Sequence, residues 1–206
     1  MKTRVLFLLL LSAVILAAIS LVRSGSRIRL AGNDQGYQPA QPIAYSHRLH
    51  AGELAIPCLY CHSGAEKSRR AGIPAASVCM NCHRYVTDIL GAVRAEDKLA
   101  AEEGRDPVPR TSAELKKLYD ALDQDEPIVW KRVHSIPDFV AFDHRPHVAA
   151  GIICQSCHGA VETMERVRQE ASLSMGWCVQ CHRDLTGRTE AGKPVNPPLD
   201  CVACHY

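Results

Sequence analysis

Bulky aromatic side chains are scarce here: 206 residues include three Phe, two Trp and six Tyr. A chain of this length is expected to form one or two domains, with a core built from large apolar side chains. Ala, Leu and Val supply most of the apolar count instead, interrupted by 12 Pro and 13 Gly. The chain is underequipped for a core of its own, so something other than protein is expected to fill the interior. Charge of one sign is lacking as well: 24 Lys and Arg against 22 Asp and Glu leave a formal net charge of +2. That balance excludes an extended basic surface for nucleic acid and a strong pull on acidic substrates. Residues 84–129 contain neither Cys nor His, which confines any chemistry of those residues to the two flanking blocks.

No cysteine stands alone. The ten Cys form five Cys-x-x-Cys pairs, each followed at once by His: CLYCH at 58–62, CMNCH at 79–83, CQSCH at 154–158, CVQCH at 178–182 and CVACH at 201–205. This is the attachment pattern of c-type haem. Two thiols form thioethers to the porphyrin edge and the adjacent imidazole reaches the iron, so one short turn must present all three. A disulfide framework accounts for an even number of Cys in an exported chain but not for His after every pair. Zinc and iron–sulfur sites take such pairs two at a time, which leaves one of the five unmatched. Five covalent haem c groups are therefore expected, attached through Cys58, Cys61, Cys79, Cys82, Cys154, Cys157, Cys178, Cys181, Cys201 and Cys204, with His62, His83, His158, His182 and His205 on the irons. Five flat apolar rings would supply the missing core, and stability should then depend on their insertion. The fold class that follows is mainly irregular and α, with short helices and loops around a haem-filled interior.

An electron-transfer iron usually takes a second protein ligand. Five His lie outside the motifs: His47, His50, His134, His144 and His147. The first and last pairs each form His-x-x-His at nearly the same offset before a haem motif, which marks them as distal ligands. His134 stands alone in WKRVHSIPDF without a counterpart in the first block, and a structural role competes with ligation there. Met164 and Met175 are the other candidates for the fifth iron, against a simple packing role. A His/Met iron would sit at higher potential than bis-His irons, so the irons are expected to be predominantly bis-His, with one His/Met site as the alternative.

Residues 5–22, VLFLLLLSAVILAAISLV, carry no charge. Eighteen helical residues span roughly 27 Å, close to the thickness of a bilayer core. A transmembrane anchor at 1–23 fits this length better than a cleaved signal peptide, which has a shorter apolar region and a small-x-small site. Covalent haem attachment takes place outside the cytoplasm, which puts the rest of the chain in the periplasm. A turn-rich tether at 24–44 follows, then a two-haem module at 45–87, a helical insert at 88–129 and a three-haem module at 130–206. Within the insert, 88–103 reads as one helix, and Thr111-Ser112-Ala113-Glu114 reads as a capping box opening another. The modules look like copies of one unit: YSHRLHAGELAIPCLYCHSG at 45–64 matches FDHRPHVAAGIICQSCHGA at 142–160.

The aromatic–x–His–x–x–His blocks, each leading into Cys-x-x-Cys-His, resemble the multihaem cytochromes of the c3/c7 type. Together with the anchor, the five motifs, WKRVHSIPDFVAFDHRPHV at 130–148 and SMGWCVQCHR at 174–183, the chain resembles the pentahaem cytochrome subunit of bacterial alternative complex III. That resemblance covers nearly all of the chain beyond the anchor. It implies an electron-transfer subunit, not an enzyme on its own, in a membrane complex that oxidises quinol. It also implies three kinds of partner: an iron–sulfur subunit, a polytopic quinol-binding subunit and a mono-haem cytochrome c. A stand-alone anchored quinol dehydrogenase feeding a periplasmic reductase is the alternative. Haem-based reduction of a small oxyanion needs an open iron, and His are numerous enough here to fill all five.

Overall fold

The computed structural model describes residues 2–25, 34–190 and 192–205. Helix α1 runs from Lys2 to Gly25, and its described apolar side chains, Phe7, Leu9 and Leu16 among them, are exposed. Among the described residues no helix is long and apolar enough to cross a membrane. The side chains at 2, 3, 6, 8 and 21–25 lie outside the description. The spanning anchor expected at 1–23 is thus not supported by the described residues. Residues 26–33 of the expected tether also lie outside them.

The remainder of that tether is docked along the second block. Gln35 lies in a turn closed by Tyr37 N on Asp34 O, and Gln38 and Gln41 follow at three-residue steps beside Pro39 and Pro42. Their amides donate to the carbonyls of Glu170 (2.9 Å), Arg166 (2.7 Å) and Lys131 (2.9 Å) respectively. Gln169 is fully buried at the centre of this seam. Its side-chain oxygen accepts from the Ser135 amide and its nitrogen donates to Ala171 O, so its burial leaves no unmet polar group.

The first block consists of a π-helical turn at Arg48–Glu53, α2 (Cys58–Cys61), α3 (Gly64–Lys67) and α4 (Ala76–His83). The insert supplies α5 (Leu90–Glu103) and α6 (Ala113–Asp123). Ser112, not Thr111, caps α6 by accepting from the Leu115 amide at 3.2 Å. Glu114 does not complete a capping box, because its carboxylate accepts from the Ala44 amide and from Lys117. The second block repeats the first with α7 (His144–Ala149), α8 (Gln155–His158), a 3-10 turn at Val161–Thr163 and α9 (Met175–Leu185). A hairpin of β1 (Arg188–Glu190) and β2 (Lys193–Val195), then a 3-10 turn at Cys201–Ala203, lead into the last motif.

The two blocks pack reciprocally. The π turn of the first lies against the 3-10 turn of the second, and α3 of the first lies against α7 of the second. Arg48 N donates to Met164 O at 2.9 Å, and His144 N donates to Arg69 O at 3.2 Å. Gly52 is required at the first contact, since a Cβ there would stand 2.3 Å from Glu162 O. Apolar burial by protein alone is slight: among the described residues the buried apolar side chains are Pro39, Ala65, Ala100, Leu118 and Met164. Five side chains cannot offset the conformational entropy of ordering a chain of 206 residues. The interior has to be completed by something else.

Candidate haem centres

Each motif starts on a helical turn, because one turn brings both thiols and the imidazole to the same side. All ten Cys are free thiols rather than disulfides, and all ten His are half-buried. Among the described residues no cluster of three or more His, Cys, Asp or Glu could hold a bare metal ion. The imidazoles instead stand in opposed pairs. His47 faces His62 with ring centroids 6.4 Å apart and planes 5° from parallel. His144 faces His158 at 6.4 Å and 8°. His50 and His83 are 6.1 Å apart at 58°, and His147 and His182 are 6.1 Å apart at 40°. Two metal–nitrogen bonds of about 2 Å plus two ring half-widths total about 6 Å. The gap in each pair therefore matches one six-coordinate metal.

The rings of the two His-x-x-His pairs are positioned by one local device used twice. Ser46 accepts from the Leu49 amide, and Asp143 caps α7 by accepting from the Arg145 amide. His-x-x-His on one helical turn puts both rings on one side, fanned so that each meets a different motif. Tyr45 stacks on His50 (4.3 Å, 24°) and meets His47 edge-on (4.9 Å, 82°). Phe142 does the same for His147 (4.8 Å, 36°) and His144 (4.8 Å, 84°).

Hydrogen bonds select the tautomer. A carbonyl only accepts, so an Nδ1 bonded to one must carry the proton and leave Nε2 as the free lone pair. That holds for His50 on Ser46 O, His62 on Gly72 O, His83 on Val86 O, His144 on Arg69 O, His147 on Asp143 O and His182 on Pro198 O, all at 2.7–2.8 Å. Burial drives the pKa of His47 and His158 down to about 4, with neighbouring His adding to it. Both are neutral near pH 7, the state in which imidazole binds metal.

Two positions break the pattern. His134 is drawn not to a sixth-ligand position opposite His205 but to the back of His158, its Nε2 3.1 Å from His158 Nδ1. The rings are 4.3 Å apart at 78°, and burial lowers the pKa of His134 to about 4. His205 stacks on Phe139 at 5.7 Å, and its backbone bridges Val140. Met164 is buried at the contact between the blocks, while Met175 is 67 % exposed one helical turn before Cys178. The acceptor carbonyls of Arg69, Gly72, Val86 and Pro198 carry no signal in their side-chain identity. Tyr45 and Phe142 were visible as the aromatic residue two places before each His-x-x-His.

The arrangement fits haem: thiol pairs on short turns beside opposed neutral imidazoles, around an interior the protein leaves unfilled. Residues 140–206 match the family model of cytochrome c7 and related cytochrome c, so this segment is similar to those multihaem cytochromes. The chain is also similar to the multiheme cytochrome c subunit of a menaquinone reductase from Nitratidesulfovibrio vulgaris, 31 % identical over 121 residues. The match covers 59 % of this chain and 47 % of the relative, so the chain spans about half the length of that protein.

Proposed function

We propose that the chain is the five-haem electron-transfer subunit of a membrane complex that exchanges electrons with quinone, of the alternative complex III type. The observation that carries the reading is the set of four opposed imidazole pairs, each at the spacing of a six-coordinate iron beside its own Cys-x-x-Cys-His motif. In this assignment His62 pairs with His47, His83 with His50, His158 with His144 and His182 with His147. The fifth iron takes His205 and Met175, whose side chain is free of core packing and lies on the same helix face as Cys178. Haem held there supplies one-electron redox chemistry. The chain's own residues set ligand orientation, fix the proton on the outer nitrogen and exclude water from the filled interior. His134 acts from outside the coordination shell, accepting the proton of His158 Nδ1 and making that ligand more basic. Filled coordination favours electron transfer over reduction of a small substrate at an open iron.

Residues 1–23 are proposed as the anchor, supported by the 18 uncharged positions at 5–22 and the exposed apolar side chains of α1. The motif region then faces the periplasm. The similarity to a menaquinone reductase subunit favours a second reading, in which the same wire delivers electrons to quinone rather than drawing them from quinol. Gently solubilised native membranes, run on a native gel and stained for haem, test both. Co-migration with an iron–sulfur subunit, a polytopic subunit and a mono-haem cytochrome supports the complex. Quinol-dependent reduction of the stained band marks the oxidising direction, and its oxidation by added menaquinone marks the other. Migration alone or with a periplasmic reductase overturns membership of such a complex.

A further inference from the structure

The route through the molecule depends on which attachment sites touch, and chain order does not give it. We propose that the five sites stand in the spatial order 79–83, 58–62, 154–158, 178–182, 201–205. The first block is then traversed backwards, and the motifs at 79–83 and 201–205 are the two ends. This rests on the five-haem reading above.

Thioether sulfurs mark the edge of a bound macrocycle, so sulfurs of two sites in contact bring two edges together. At the first join, Asn81 Nδ2 donates to Tyr60 Oη at 2.9 Å, linking the middle residues of their motifs.

The second join is the reciprocal contact of the blocks. When two copies of one unit pack face to face, equivalent positions meet at the centre. Cys58 and Cys154, each the first Cys of its block, are those positions. Burial and then Cys58 push up the Cys154 thiol. The Gly52 approach to Glu162 O and the Arg48 bond to Met164 O hold the contact on one side, and the His144 bonds to Arg69 O hold it on the other.

At the third join, Cys157 and Trp177 line one cavity of about 420 Å³. At the fourth, His182 Nδ1 donates to Pro198 O at 2.7 Å, three residues before Cys201. Burial and then Cys204 raise the Cys178 thiol. The 79–83 motif's other neighbour is the insert, where Tyr119 Oη donates to His83 O at 2.5 Å. Apolar side chains stand exposed at both ends of the series, Tyr85 and Val86 beyond the 79–83 motif and Leu199 and Val202 around the 201–205 motif.

The test is a redox titration of the haem-loaded chain followed by NMR of the haem methyl resonances, which yields the mutual shift of midpoint potential for every pair of sites. The His50→Met variant alters the 79–83 site alone and assigns its resonances. The four neighbouring pairs should interact several-fold more strongly than the rest, with 58–62 and 154–158 among them. A stronger interaction of 79–83 with 154–158 than of 58–62 with 154–158 overturns the order. Fewer than five sets of methyl resonances would instead overturn the five-haem reading on which it rests.

Discussion

The first block carries its His-x-x-His pair on a π turn and the second on an α-helix, and a single residue accounts for the difference. Cys58 follows His47 by eleven positions, and Cys154 follows His144 by ten. One extra residue inside a helix is commonly absorbed as a π turn, which is what Arg48–Glu53 forms. The ligand geometry is indifferent to it, since His47–His62 and His144–His158 both stand 6.4 Å apart and nearly parallel. The blocks diverge one layer further out. His62 rests its outer nitrogen on Gly72 O, whereas His158 rests its own on His134. His144 Nδ1 has the Arg69 carbonyl, whereas His47 Nδ1 is buried without a partner. The two blocks share the opposed rings and differ in the partners behind them, the layer through which protein tunes a metal centre.

The largest expected effect removes the distinction between the blocks altogether. With so few apolar side chains buried by protein alone, replacing both Cys of the 58–62 motif, or both of the 154–158 motif, by Ala should abolish cooperative thermal unfolding. The same change at 201–205 should leave a measurable transition. Circular dichroism during heating separates the two results, and a sharp transition after loss of either central motif would break the proposed core.

Next in size is Met164, buried where the blocks meet. Met164→Ala should cost about 2–5 kcal/mol by denaturant titration and leave the visible spectrum unchanged. A spectral change would make it a ligand.

Matched positions Gly52 and Ala149 should then respond unequally. Gly52→Ala drives a Cβ to within 2.3 Å of a backbone oxygen and should cost about 1–3 kcal/mol. Ala149→Gly should cost only about 0.5–1 kcal/mol. Equal losses would deny the asymmetry.

His134→Leu should raise the midpoint of one haem by the equivalent of about 1 kcal/mol, the typical worth of one hydrogen bond. All irons should stay low-spin, and His134→Gln, which keeps an acceptor, should restore much of the shift. Appearance of a high-spin iron would place His134 in the coordination shell instead.

The smallest effect concerns the caps. Asp143, hydrogen-bonded by Arg145, has its pKa lowered to about 2, below its unfolded value. Its contribution is therefore complete above about pH 4 and is lost as pH falls toward 2. Ser46 has no such titration. Below pH 4, amide exchange should accelerate in α7 before it does in the π turn.

Much of this was legible in the sequence because covalent haem needs rigid local spacing. The five motifs, the two His-x-x-His pairs and the helix at 88–103 (found at Leu90–Glu103) are all local patterns. What was not legible depends on partners far along the chain. The capping box at 111–114 failed because Glu114 was taken by Ala44, 70 residues away. The tether docks because three glutamines find backbone carbonyls of the second block, and any residue could have supplied those carbonyls. The placement of His134 was hidden for the same reason, as nothing in WKRVHSIPDF names His158.

The most direct test is the mass of the intact purified chain under denaturing conditions, where only covalently held groups remain. The expected mass is that of the polypeptide plus five haem groups. A mass lacking haem, or carrying fewer than five in fully matured protein, would contradict it.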